Sequence, residues 1–109
     1  MLELLNPMRK IEQVVFSLHT SPQVSGRCED DAILAIQTLT TSRACSYGEL
    51  LRFSGPIIIY HYLPDTLVEA DYHFVAYMDD KYIVDLARKP GNRVFNLQEY
   101  KRLIDQLQR

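Results

Sequence analysis

The chain has 109 residues, of which 47% are hydrophobic and 24% are charged, and its net charge is −2. This size and composition predict one globular domain and argue against a largely disordered chain. The lack of a basic excess argues against nucleic acid binding, and no apolar stretch is long enough for a transmembrane helix.

The first quarter of the chain begins without targeting signals. Met1–Pro7 has no basic region before an apolar core, so we predict no signal peptide and a cytoplasmic location. Apolar residues then recur with helical spacing over 7–18, where Pro7 occupies the first helical position. A loop is expected over 19–27, because this stretch is rich in Ser, Thr, Pro, Gln and Gly.

A second helix is predicted from Cys28 to Thr40. Its first turn is acidic, which favours a helix start, and five apolar residues form its buried stripe: Ala32, Ile33, Ala35, Ile36 and Leu39. The next segment, 46–53, is interpreted as short helical or irregular structure.

Beyond this point the pattern changes to strands. We predict strands at 56–62, 71–78 and 81–86, from their β-branched and aromatic residues. A last helix is expected to reach Leu107, with Asn96 as its N-cap and Glu99 at the third helical position. Helices followed by a small antiparallel sheet of three to four strands and a closing helix predict an α+β fold.

Three residues form the main candidate site. Cys28 opens the second helix, where the helix dipole and free N–H groups lower a thiol pKa. His73 stands on a strand, and Asp85 ends the strand that follows. Thiol, imidazole and carboxylate in these roles are the parts of a nucleophilic triad, in which the carboxylate orients the ring and the ring activates the thiol.

The hairpin between the last two strands decides whether His73 and Asp85 meet. A three-residue loop, Asp79–Lys81, pairs residue 75 with residue 85. His73 then lies one diagonal step from Asp85 on the same face, about 7–8 Å away at Cα. A two-residue loop would place the two side chains on opposite faces, so the triad requires the three-residue loop or a bulge.

Further residues receive supporting roles. Gln23, five residues before the thiol, is a candidate second oxyanion donor beside the Cys28 N–H. Asp71 and Tyr72 are candidates for the substrate rim, and the acidic residues before His73 favour a basic substrate or partner. A solvated acidic loop is the equally weighted alternative.

The remaining cysteine and histidine residues are given no role in catalysis. Cys45 lies at the other end of the second helix, so a disulfide with Cys28 is not expected. The three histidines lack metal-ligand spacing, and neither a metal nor another cofactor is predicted.

At these positions the chain resembles the papain-like cysteine hydrolase superfamily, and most closely the small papain-fold toxin domains of bacterial polymorphic toxins. The resemblance spans about Gln23 to Leu107 and consists of four pieces: Gln23 with Cys28 opening a helix, Tyr72–Val75 on a strand, Tyr82–Asp85 ending in the carboxylate, and the closing helix. It makes residues 1–20 a helical extension of one papain-like domain over residues 1–109.

The resemblance implies a Cys–His–Asp hydrolase that acts on peptide, isopeptide or glutamine-amide bonds of a protein or peptide. For a toxin domain it also implies delivery into a target cell and an immunity protein as partner. Two alternatives stay open from the sequence. One is a non-catalytic interaction module that uses exposed tyrosines, and the other is an acyl-transfer enzyme with the same triad.

Overall fold

The computed structural model of the protein describes residues 6–18 and 27–109. Over these residues the fold is α+β, with three helices and a four-stranded antiparallel sheet, as predicted. The elements are, in chain order, α1 (Pro7–Val15), α2 (Arg27–Thr41), β1 (Gly48–His61), β2 (Thr66–Met78), β3 (Tyr82–Val84), β4 (Val94–Asn96) and α3 (Leu97–Leu107).

The sheet has the strand order β1-β2-β3-β4 and carries helices on both faces. Helices α1 and α2 pack on one face over a core that includes Ala76, Met78 and Val84. Helix α3 packs on the other face over Val75 and Ile83. The assignment follows the strand period of two, since neighbouring residues of β2 enter different cores.

The long strands β1 and β2 extend well beyond the short strand β3. Strand β3 pairs with β2 only from Ala76 to Met78, whereas β1 pairs with β2 from Gly48 to His61 around one register shift. The β3 side of β2 is therefore free of strand pairing at His73. The candidate site lies at this point.

The hairpin between β2 and β3 has the register on which the triad depends. Met78 pairs with Tyr82 and Ala76 with Val84, so the loop comprises residues 79–81, which is the length that the triad requires and that the sequence left open. Asp79 and Asp80 adopt left-handed backbone conformations with φ of 54° and 53°. Aspartate tolerates this conformation better than most residues, so the local sequence suits the loop.

Helix α1 belongs to the main core of the domain and is not an appendage. Ile11 and Val15 are buried in the core shared with α2 and the sheet. Glu12 Oε2 accepts hydrogen bonds from the main-chain N–H groups of Arg93 and Val94 at 2.9 and 3.0 Å. The Arg93 guanidinium is buried and donates to the Val15 carbonyl at 2.8 Å. These bonds connect α1 to the start of β4.

Most predicted elements are confirmed. The predictions for the segment 46–53 and for Ile33 are wrong, and one strand was missed. The segment 46–53, interpreted as helical or irregular, contains the first part of β1, because pairing with β2 from Gly48 onwards decides its conformation. Strand β4 was not predicted. Ile33, placed in the buried stripe of α2, is 37% exposed, while Ala32, Ala35 and Leu39 are buried as expected.

Gly48 shows why pairing with β2 determines this segment. A Cβ at this position would lie 2.3 Å from Sδ of Met78, which occupies the space beside the strand. Any larger residue would have to displace the buried Met78 side chain. The start of β1 is thus adapted to close contact with its partner strand.

The described helices include none that is long and apolar enough to span a membrane.

The capping box at the start of α3 makes a testable contribution to stability. The Asn96 side chain accepts from the Glu99 N–H at 2.8 Å, and Glu99 Oε1 accepts from the Asn96 N–H at 3.1 Å. We expect Asn96→Ala to lower the free energy of unfolding by about 1 kcal/mol, measured by urea denaturation. Exposed Gln98→Ala is the matched control, and an equal loss in both variants would contradict the capping role.

Candidate active site

Asp85 and His73 form a buried pair. Asp85 Oδ2 lies 3.1 Å from His73 Nε2, and the two residues are 3% and 1% exposed. Tyr100 donates its hydroxyl proton to the same carboxylate oxygen at 2.6 Å, and the Ala87 N–H donates to Oδ1 at 3.0 Å. The main-chain N–H of Asp85 donates to the Arg93 carbonyl at 2.9 Å. The carboxylate is therefore held from several directions.

The thiol of Cys28 approaches the same histidine from the opposite helix layer. Cys28 is the second residue of α2 and is half-buried. Because Nε2 of His73 faces Asp85, the ring nitrogen left for the thiol is Nδ1. Nδ1 is buried and makes no hydrogen bond of ordinary geometry, yet ring and thiol are close enough to shift each other's pKa. Such contacts often tighten only when substrate binds.

The electrostatics of the site favour a charged thiolate–imidazolium pair. Burial opposes charge on the His73 ring, but the Asp85 carboxylate and the thiol outweigh it and raise the pKa of His73 to about 10. Burial likewise raises the pKa of Cys28, but His73 and the N–H groups of Phe74 and Glu29 lower it below that of a free thiol. Despite complete burial, His73 holds the pKa of Asp85 below its ordinary value.

Two main-chain N–H groups near the sulfur have different origins. The Glu29 N–H belongs to the first turn of α2, where N–H groups have no partner within the helix. The Phe74 N–H belongs to the stretch of β2 that β3 does not cover. The thiol thus receives donors from both a helix start and a strand edge.

The two cysteines have opposite properties, as the sequence suggested. Both are free, and among the described residues a histidine lies beside Cys28 and none beside Cys45. Cys45 is buried in the core between α2 and the sheet, and burial together with Asp79 raises its pKa to about 11. Cys45 therefore has the character of a structural residue.

Of the other predicted site residues, Asp71 and Tyr72 are not brought to the triad. Gln23 lies outside the described residues. Asp71 is exposed on β2, and Tyr72 packs edge-on against Phe74 at 5.5 Å between ring centroids. Neither lines the small cavity beside Cys28, although Phe74 does. Their rim role stays a prediction.

Several residues of the site were not identified from the sequence. Tyr100 was given no role in the site, but its hydroxyl donates a hydrogen bond to Asp85. Asp31, one helical turn after Cys28, lines the cavity, and burial raises the pKa of its carboxyl group. His61, one of the histidines that were given no role in catalysis, also lines the cavity. Of these residues, only Asp31 could have been placed near the thiol from the sequence, because residues three positions apart lie on the same face of a helix.

In the part of the chain that the structure describes, no three His, Cys, Asp or Glu side chains lie close enough together to hold a metal ion. Comparisons of the chain with protein-family models, with curated proteins and with solved structures found no match.

The buried pair predicts how stability depends on pH. In Cys28→Ser, folded His73 keeps its proton above pH 6.5, the value at which the unfolded residue releases it. Its contribution to stability is therefore complete below pH 6.5 and is lost as the pH rises through the raised pKa that the Asp85 carboxylate still gives the ring. We expect the free energy of unfolding to fall by at most about 1.4 kcal/mol per pH unit in this window.

Two comparisons check the origin of this slope in denaturation measured between pH 6 and 9. Adding Asp85→Asn to Cys28→Ser should remove the slope, because no carboxylate then raises the pKa of His73. The wild type should show a shallower slope, because its folded thiol releases a proton earlier than the unfolded thiol does. An unchanged slope in the double variant would contradict the assignment to the pair.

Proposed function

We propose that this protein is a cysteine hydrolase with a papain-like arrangement of Cys28, His73 and Asp85. The observation that carries the proposal is the buried Asp85–His73 bond at Nε2, which leaves the other ring nitrogen for a thiol of lowered pKa. A cysteine that only packs in the core does not require a charged imidazole beside it. Cys45 is such a residue in the same chain, and burial raises its thiol pKa.

In the proposed mechanism the Cys28 thiolate attacks the carbonyl carbon of a peptide, isopeptide or glutamine-amide bond. His73 transfers its proton to the leaving nitrogen, and the carbon–nitrogen bond breaks to leave a thioester on Cys28. Neutral His73 then takes a proton from water as the water attacks the thioester. Asp85 orients the ring and stabilises its charged form throughout, as the carboxylate does in other triads.

The oxyanion requires donors near the acyl carbon. We assign the Cys28 N–H, at the start of α2, as one donor and Gln23 as the candidate second. The helix dipole adds to this site, because its positive end faces the developing negative charge. Asp71 and Tyr72 remain candidates for the rim that contacts a protein or peptide substrate.

The proposed setting follows from the resemblance. It is that of a bacterial toxin effector domain, which acts in the cytoplasm of a target cell and is neutralised by an immunity protein in the producing cell. The alternative is a non-catalytic papain-fold interaction module, for which the exposed aromatic Tyr47 and the half-buried Tyr60 and Tyr72 offer contact surface.

Thiol alkylation against pH tests the proposed nucleophile directly. With iodoacetamide between pH 5 and 10, we expect the labelling rate of Cys28 to have a midpoint below that of a free thiol, because thiolate is the reactive form. Cys45 in the same molecule is the internal control and should label slowly throughout this range, because its pKa is raised to about 11. Peptide mass spectrometry assigns each label.

Variants of His73 and Asp85 test whether the labelling midpoint of Cys28 is set by the triad or only by the solvent exposure of the thiol. We expect His73→Ala to move the midpoint of Cys28 upward, because the ring's hydrogen bond and charge are removed. Asp85→Asn should move it in the same direction, since the ring then holds its proton less firmly. If the wild-type midpoint of Cys28 is that of a free thiol and neither variant moves it, the hydrolase proposal fails.

Growth of bacteria that express the chain tests the proposed setting. We expect expression of the wild type to slow growth and Cys28→Ala to restore it, because the thiol is the nucleophile. Cys45→Ala is the matched control and should leave the toxicity in place, provided that the two variants accumulate equally. Undiminished toxicity of Cys28→Ala would favour the interaction module.

A further inference from the structure

A small cavity borders the triad and contains a residue that none of the steps above uses. The cavity has room for about one water-sized molecule. Its polar lining residues are Cys28, Asp31, His61, His73 and Asp85. A space of this size next to a thiol excludes a substrate side chain but suits a water molecule or a similarly small group.

His61 is the unexplained residue of this cavity. It is the last residue of β1, is 9% exposed, and its ring lies edge-on to His73 with 6.3 Å between centroids. Nδ1 of His61 is buried and has no hydrogen-bond partner among the described residues. Nδ1 of His73, by contrast, faces the Cys28 thiol in the free enzyme. A buried ring nitrogen without a partner is costly and uncommon, so Nδ1 of His61 beside this cavity indicates a missing polar ligand.

We infer that this cavity binds the water that hydrolyses the acyl-enzyme. In the acyl-enzyme His73 has given its proton to the leaving group, so Nδ1 of His61 and Nδ1 of neutral His73 accept the two hydrogen atoms of the water. The inference rests on the proposed hydrolase function and assigns His61 as the residue that positions the reacting water. The distance between the two rings is consistent with a single bridging water.

The arrangement has a chemical consequence for the second half of the reaction. When both hydrogen atoms are accepted, a lone pair of the water oxygen remains free to attack the Cys28 thioester. The oxygen–carbon bond forms, one water proton passes to His73 Nδ1, and the carbon–sulfur bond breaks with its electron pair returning to sulfur. The other hydrogen stays on the carboxylic acid product, so the thiolate–imidazolium pair is restored.

His61 must be neutral with its proton on Nε2 for Nδ1 to act as an acceptor. Burial disfavours the charged ring and lowers its pKa, and the nearby charge of His73 acts in the same direction. The Asp85 carboxylate acts in the opposite sense but does not reverse the shift. In the free enzyme His61 and His73 therefore differ in charge although they line one cavity, because of the two rings it is His73 that pairs with Asp85.

The test uses p-nitrophenyl acetate, whose leaving group needs no protonation. A cysteine hydrolase gives a burst of p-nitrophenol as Cys28 is acetylated, followed by a slower steady rate set by hydrolysis of the thioester. We expect His61→Leu to retain the burst and to slow the steady rate about three- to tenfold, the effect of one lost hydrogen bond. Cys28→Ala measures the background hydrolysis to be subtracted.

Two conservative variants distinguish positioning of water from packing. His61→Asn places an amide close to the location of Nδ1 and should restore most of the steady rate. His61→Gln places its amide near the location of Nε2 and should remain slow. This pair decides the question even if circular dichroism shows that the leucine variant does not fold.

The outcomes separate the two proposals. Equal steady rates for the asparagine and glutamine variants, or a wild-type steady rate in His61→Leu with an intact burst, would overturn the role of His61 and leave the hydrolase intact. The absence of any Cys28-dependent burst in the wild type would instead overturn the hydrolase, and the role of His61 with it.

Discussion

The hydrogen bond between Asp85 and His73 is the interaction on which the site depends. Each group is almost completely buried, so either one alone would be an uncompensated polar or charged group in the interior. Together they form a charged pair, which Tyr100 and the Ala87 N–H complete by donating to the remaining carboxylate positions. Helix α3 and the loop after β3 therefore both serve to hold one carboxylate, and the state of the thiol follows from it.

The second constraint is the limited length of β3. A longer β3 would pair with β2 at His73 and occupy the strand edge from which the Phe74 N–H reaches Cys28. Because β3 ends at Val84, the start of α2 on one face of the sheet meets a histidine whose carboxylate partner is tied to α3 on the other face. The site is thus built across the sheet, and it requires both helix layers to be in place.

The hairpin shows how far local sequence rules extend here. The sequence shows that His73 and Asp85 share a face if the loop has three residues, but it does not fix the loop length. The pairing of Met78 with Tyr82 selects the three-residue loop, because register follows from the number of loop residues. The wrong prediction for 46–53 has the opposite cause. This segment has no strong period of its own, and its strand conformation comes from pairing with β2 across the long hairpin.

The sequence by itself determined the start of α1 at Pro7, the start of α3 after the cap Asn96, and the order of thiol, ring and carboxylate along the chain. These are local properties, which depend on residues a few positions apart. Only the tertiary structure decided that Tyr100 binds Asp85, that the Phe74 N–H faces the sulfur, and that His61 borders the same cavity as His73. Burial and unpaired polar atoms arise when elements distant in sequence pack together, so no short stretch of the chain encodes them.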